Sequence, residues 1–233
     1  RFGSRHISNA VHYEVDDGIA TIRIDDGKRN ALAPPVLRAI NDALDGSIVV
    51  VEDGVYSGEG NWDINLQGRG IAIRSANGPQ NCIIDGAGSA SDAHRGFIFN
   101  SKEGRDSVVE GFTITNCSAN VGCAILCDNS SPTISNCILV DNGTGIYDNR
   151  SDGGGIYCNN NSSPLITDCI IKNNIAASGG AITCRSSNPT IQNCVLSGNI
   201  AVGCPMCVHA YDDPSDQLFL RDSYPTIINC TIR

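Results

Sequence analysis

Apolar residues along most of this chain alternate with polar ones for only three or four positions before Asn, Gly, Ser or Pro interrupts them. From about Gly111 onward one such phrase recurs: Pro132-Thr-Ile-Ser-Asn-Cys137, Pro164-Leu-Ile-Thr-Asp-Cys169, Pro189-Thr-Ile-Gln-Asn-Cys194 and Pro225-Thr-Ile-Ile-Asn-Cys230, with Phe112-Thr-Ile-Thr-Asn-Cys117 as a weaker first copy. A second phrase lies between the copies: Gly122-Cys-Ala-Ile-Leu-Cys127, Gly154-Gly-Ile-Tyr-Cys158 and Gly179-Gly-Ala-Ile-Thr-Cys184. Within it Ile156 and Cys158 share one face while Tyr157 takes the other, the alternation of a half-buried strand. The joints, such as Asp128 to Ser131 and Arg185 to Asn188, have the composition of turns.

The Cys-to-Cys steps of the first phrase are 20, 32, 25 and 36 residues. Periods of this size belong to stacked coils, because a unit with two or three short strands cannot bury its apolar face alone. The pattern predicts an all-β chain: a right-handed single-stranded parallel β-helix over residues 46–233, with Ile and Cys facing a narrow interior and Asn laddered at the bends. Residues 1–45 read as an N-terminal tail, a β-hairpin and a capping α-helix. Val11 to Val15 and Ile19 to Ile24 flank the turn signal Asp16-Asp-Gly18. Pro34 and Pro35 then open a helix with Val36, Leu37, Ile40, Ala43 and Leu44 on one face and Gly46 as its cap, suited to a lid over the end of the solenoid. Ile71 to Ile73 and Cys82 to Ile84 read as strands of the first, irregular coils.

The phrase pattern closely resembles the right-handed parallel β-helix repeat proteins of bacterial secreted and surface proteomes, the pectate-lyase-like superfamily, over about residues 36–233. That resemblance implies an extracellular or cell-surface location. It leaves chemistry open, since the fold is shared by lyases, hydrolases, epimerases, adhesins and structural proteins. Residues 11–45 resemble the opening of a crotonase, the enoyl-CoA hydratase and isomerase family, through Tyr13-Glu-Val-Asp-Asp-Gly-Ile-Ala-Thr-Ile and Lys28-Arg-Asn-Ala-Leu32. The later Gly-rich segments that give crotonases their oxyanion-hole amides are absent, so no acyl-CoA chemistry is expected.

Composition changes this picture in two places. A net charge of −9 argues against a groove for nucleic-acid phosphates, and a cation or a neutral sugar is the easier partner. No run of 18 apolar residues exists, so no transmembrane helix is expected. Cysteine reaches 12 in 233 residues, eight of them at the closing position of the two phrases. They read as small apolar residues stacked inside the solenoid. Oxidation outside the cell would add disulfides, with Cys123–Cys127 and Cys204–Cys207 as the pairs outside the ladder.

Candidate chemistry gathers in the last units. Sliding the third unit by 25 residues places Cys204 at the Gly179 position, Cys207 at the Ile182 position and His209 at the Cys184 position. Cys204, Cys207 and His209 then read as a metal or redox cluster, or as ordinary packing. The insertion Tyr211-Asp-Asp-Pro-Ser-Asp216 offers Asp212, Asp213 and Asp216 as Ca2+ ligands of the kind the resembled superfamily carries on coil loops, or as a solvated loop. A similar insertion, Tyr147-Asp-Asn-Arg-Ser-Asp152, would wall a groove with it. For uronate elimination the candidate bases are Arg150, Lys172 and Arg185; for hydrolysis the candidate acids are Asp148, Asp152, Asp212 and Asp213. Among the Asn-x-Ser/Thr sequences, Asn129, Asn142 and Asn149 are the better exposed glycosylation candidates on this reading.

The balance falls on a non-catalytic extracellular solenoid that self-assembles or binds carbohydrate, with a Ca2+-dependent polysaccharide lyase or glycoside hydrolase acting on an acidic polysaccharide as the alternative. The last strand, Thr226-Ile-Ile-Asn-Cys-Thr-Ile-Arg233, lacks a polar cap, and its Thr226, Ile228, Cys230 and Ile232 are the expected contacts for head-to-tail assembly.

Overall fold

A computed structural model describes residues 5–8, 11–16, 19–24, 40, 43–143, 152–202 and 218–233. The chain is an all-β parallel solenoid of about five turns. Each regular coil gives one strand to each of three sheets. Ile125–Asp128 lies in a six-stranded sheet, Thr133–Ser135 in a ten-stranded sheet and Ile138–Val140 in a seven-stranded sheet. The next coil repeats this in register with Ile156–Asn159, Leu165–Thr167 and Ile170–Lys172.

Period-2 alternation sends one residue of each short strand inward. Val109, Ile134, Ile166 and Ile191 stack from the ten-stranded sheet, and Ile114, Leu139, Ile171 and Leu196 from the seven-stranded one, all buried. Each such side chain contributes roughly 1.5–3 kcal/mol by leaving water.

The corners explain the polar half of the pattern. Between the ten- and seven-stranded sheets the chain turns through one residue of positive φ: Gly111, Asn136, Asp168, Asn193 and Asn229 in successive coils. Asn and Asp tolerate this conformation better than other side chains with a Cβ. After the seven-stranded sheet an asparagine ladder forms: the Asn142 amide N–H donates to Asn174 Oδ1 and that of Asn174 to Asn199 Oδ1, each at 3.0 Å. At the third corner Ser130, Ser162, Ser187 and Ser223 form a second ladder, each N–H donating to the next Oγ at 3.0–3.1 Å. The buried Glu103 starts it by accepting from Ser130 Oγ at 2.8 Å.

These ladders correct the phase of the first repeat. Thr113–Thr115 belongs to the seven-stranded sheet, whereas Thr133–Ser135 belongs to the ten-stranded one. The true counterpart of the recurring phrase is Val108–Glu110 followed by Gly111 and Phe112, so Phe112 takes the cysteine position and the step to Cys137 is 25 residues, not 20. Cys117 instead heads the asparagine ladder, its N–H donating to Asn142 Oδ1. The two strands read alike because both need an inward Ile and end on an Asn with positive φ.

At the N-terminus the hairpin pairs Val11–Asp16 with Ile19–Ile24 antiparallel, as the Asp-Gly signal predicts. Ile19–Ile24 joins Ile48–Val51 in parallel, so the hairpin lengthens the ten-stranded sheet, and Arg5–Ser8 adds a further strand beyond it. Of the expected helix, Ile40 is helical and buried, while residues 34–39 and 41–42 lie outside the described residues. Ala43 and Leu44 are not helical, and Leu44 is 78 % exposed instead of buried. Arg69 takes over the capping: its Nη1 donates to the carbonyls of Ile40 and Ala43 at 2.7 and 2.9 Å. Among the described residues no helix is long and apolar enough to cross a membrane.

Candidate functional site on the six-stranded sheet

The six-stranded sheet runs Ile64–Asn65, Phe97–Phe99, Ile125–Asp128, Ile156–Asn159, Ile182–Arg185 and Leu218–Arg221. Of the two insertions, residues 147–151 and 211–216 lie outside the described residues, while Asp152, which closes the first, is described. Register stacks Ile98, Leu126, Tyr157, Thr183 and Phe219 as one outward column. Beside it a polar column carries Asp128, Asn159, Arg185 and Arg221, with Asp128 opposite Asn159 and Arg185 opposite Arg221.

The middle of the apolar column is roofed: Tyr157 and Thr183 are buried, and Thr183 Oγ1 donates to Ser178 O at 2.9 Å. What faces solvent is the polar shelf. Asp128 Oδ1 accepts from Asn160 Nδ2 at 2.7 Å, Arg221 is exposed and Arg185 is half-buried. Arg185 Nη2 donates to Asp152 Oδ2 at 2.6 Å, and its guanidinium carbon lies 5.8 Å from the centroid of the Phe219 ring. Its Nε is buried and has no partner among the described residues. Burial pushes the Asp152 carboxyl above the usual aspartate value, against the pull of Arg185. The Tyr157 hydroxyl is pushed up by burial, with Asp152 and Asp128 adding to it and Arg185 opposing.

At the other end of the same flank the sole tryptophan, Trp62, stacks on His94 with ring centroids 4.0 Å apart. His94 Nε2 is 3.1 Å from Asp92, and its Nδ1 is 3.5 Å from Asp63, too far for a good hydrogen bond. No repeat signal marks this half-exposed aromatic pair, because it sits in the irregular early coils.

The structure separates several candidates from one another. Lys172 projects from the seven-stranded sheet and Arg185 from the six-stranded one, so they do not share a face. Arg150, Asp148, Asn149, Cys204, Cys207, His209, Asp212, Asp213 and Asp216 lie outside the described residues. The slide by 25 residues is corrected: Leu218, Phe219 and Leu220 pair with Ile182, Thr183 and Cys184, so Leu220 and not His209 continues the Cys184 position. The insertion delays this strand by a further eleven residues relative to that slide. Asn142 is 1 % exposed and its Nδ2 donates to Ile114 O at 2.9 Å, so it is a ladder residue and not an exposed glycan acceptor. Asn129 is exposed. Cys123 and Cys127 are free and buried; the Cys123 thiol donates to Ala119 O at 3.2 Å, so the expected disulfide is not formed. Among the described residues no three His, Cys, Asp or Glu side chains converge as a metal site.

Compared with family models, curated proteins and solved structures, the chain matches none. The fold therefore stands on its geometry, and the resemblances on their motifs.

Proposed function

We propose that the chain is a binding solenoid that holds a carbohydrate strand along the outer face of the six-stranded sheet. The observation that carries this reading is the pair of guanidinium groups on the polar shelf: Arg185, half-buried and held in place by Asp152 at 2.6 Å, lies opposite the exposed Arg221 one coil away. A guanidinium is a planar fork of N–H donors that suits sugar oxygens and carboxylates. Asp128, Asn159 and Asn160 continue the shelf with acceptors and amides, and the Trp62–His94 stack supplies an aromatic surface farther along the flank.

Isothermal titration of neutral and acidic oligosaccharides tests the reading, with Arg221→Ala as the variant that leaves the Arg185–Asp152 pair in place. Binding that weakens in the variant, with sugar recovered at full length by mass spectrometry, is the expected outcome. Shortened sugar with an unsaturated or a new reducing end would replace binding by the lyase or hydrolase alternative.

A further inference from the structure

The cysteines of the interior are stacked, not scattered. Cys137, Cys169, Cys194 and Cys230 occupy one position in successive coils, as do Cys127, Cys158 and Cys184. In the first ladder every thiol adopts the same pose. The Cys194 thiol donates to Gln192 O at 3.1 Å and to Ile166 O, one coil below, at 3.6 Å. The Cys230 thiol repeats this with Ile228 O at 3.2 Å and Ile191 O at 3.5 Å. Identical contacts one coil apart put successive sulfurs at about the strand spacing, roughly 4.8 Å.

That separation decides what can bridge them. A disulfide needs its sulfurs at about 2.05 Å, which side chains pointing the same way cannot reach without distorting the coils. A metal held in line between two thiolates needs twice a metal–sulfur bond of about 2.3 Å, or about 4.6 Å. Charge then selects the ion. A monovalent soft cation between two thiolates leaves a net negative charge in an apolar interior, which is costly. Zinc asks for four ligands, and a column of thiols offers two at a time. A divalent soft ion with two thiolates is neutral and takes up linear coordination.

We propose that Cys194 and Cys230 form a linear dithiolate site for a soft divalent cation, mercury(II), with the deeper thiols of the ladder as further positions. Binding converts two thiols and one Hg2+ into S–Hg–S and releases two protons, and nothing is oxidised. Cys230 is the one half-exposed thiol among the described cysteines. Holding two thiolates at fixed spacing raises their effective concentration over that of a free monothiol.

The intact folded chain is loaded with mercuric ion, challenged with excess monothiol, and examined by native mass spectrometry and X-ray absorption at the mercury edge. Cys82 supplies the control, because its in-register neighbours are Gly54 and Phe112 and no thiol lies next to it in the column. The expected result is retained mercury with two sulfur neighbours. One ion per chain is lost in Cys194→Ser and in Cys230→Ala, and none in Cys82→Ser. Circular dichroism on each variant shows whether the β signal persists; Cys230→Ala, at a half-exposed position, keeps the test open if Cys194→Ser does not fold. Mercury retained equally by the Cys230→Ala chain, three or more sulfur neighbours, or uptake only with loss of the β signal would overturn the proposal.

Discussion

Replacing Asn174 by Ala tests whether the asparagine ladder holds the coils in register. Asn174 Oδ1 accepts the Asn142 N–H and the Asn142 Nδ2, each at 3.0 Å, and its Nδ2 donates to Leu139 O at 3.0 Å and to Asn199 Oδ1 at 2.8 Å. Alanine removes all four and leaves the Asn142 N–H buried without this acceptor. An orphaned buried donor costs about 1–3 kcal/mol and each of the three other lost neutral hydrogen bonds about 1 kcal/mol, so the total is roughly 4–6 kcal/mol. In a domain of this size 1 kcal/mol moves Tm by about 2–4 °C, so the midpoint should fall by roughly 8–24 °C. The neighbouring Asn173 is exposed, with φ of 55°. Asn173→Ala removes only its tolerance of that backbone and should cost about 1 kcal/mol. Urea unfolding followed by circular dichroism compares the two. An Asn174→Ala loss no larger than that of Asn173→Ala would refute the reasoning.

Three further outcomes follow from the same geometry. A Cβ on Gly155 would stand 2.5 Å from Ala181 O and 3.0 Å from Ile171 Cγ2, so Gly155→Ala should lower stability by about 1–3 kcal/mol in a urea titration. Glu103 accepts from the N–H groups of Gly68 and Ser101 as well as from Ser130 Oγ; Glu103→Gln turns one acceptor into a donor facing a donor and should cost about 2 kcal/mol by thermal unfolding. The Asp152 carboxyl is raised in the folded state, so its contribution is fully present below the unfolded value of 3.8 and is lost as pH rises through the folded value. The stability of the natural chain relative to Asp152→Asn should therefore improve on acidification from neutral pH toward 3.8, and a difference that shrinks instead contradicts the assigned burial.

The coil architecture was legible because short strands with one inward residue leave a strong period-2 signal at Ile134, Ile166 and Ile191. The serine ladder was equally available, since Ser130, Ser162, Ser187 and Ser223 keep the steps of 32, 25 and 36 residues of Cys137, Cys169, Cys194 and Cys230. Phase failed at residues 112–117, where two strands share one pattern and only pairing tells them apart. It failed again after Ala201, where an insertion of unknown extent separates one strand from the next and a fixed slide puts His209 where Leu220 belongs. The Arg185–Asp152 pair joins residues 33 apart, and neither the alternation nor the turn chemistry marks which polar residues on adjacent coils will meet. Leu44 departs from the helical pattern because Ala43 and Leu44 are not helical and Gly46, with φ of 82°, closes a turn instead of a helix.

Hydrogen exchange with and without a saturating oligosaccharide tests the binding face most directly. The account predicts added protection in peptides covering 157–160, 183–186 and 219–222, in step with the coils, and none in those covering 138–140, 170–172 and 195–197. Protection confined to the seven-stranded sheet, or to no sheet while binding is measured, would contradict it.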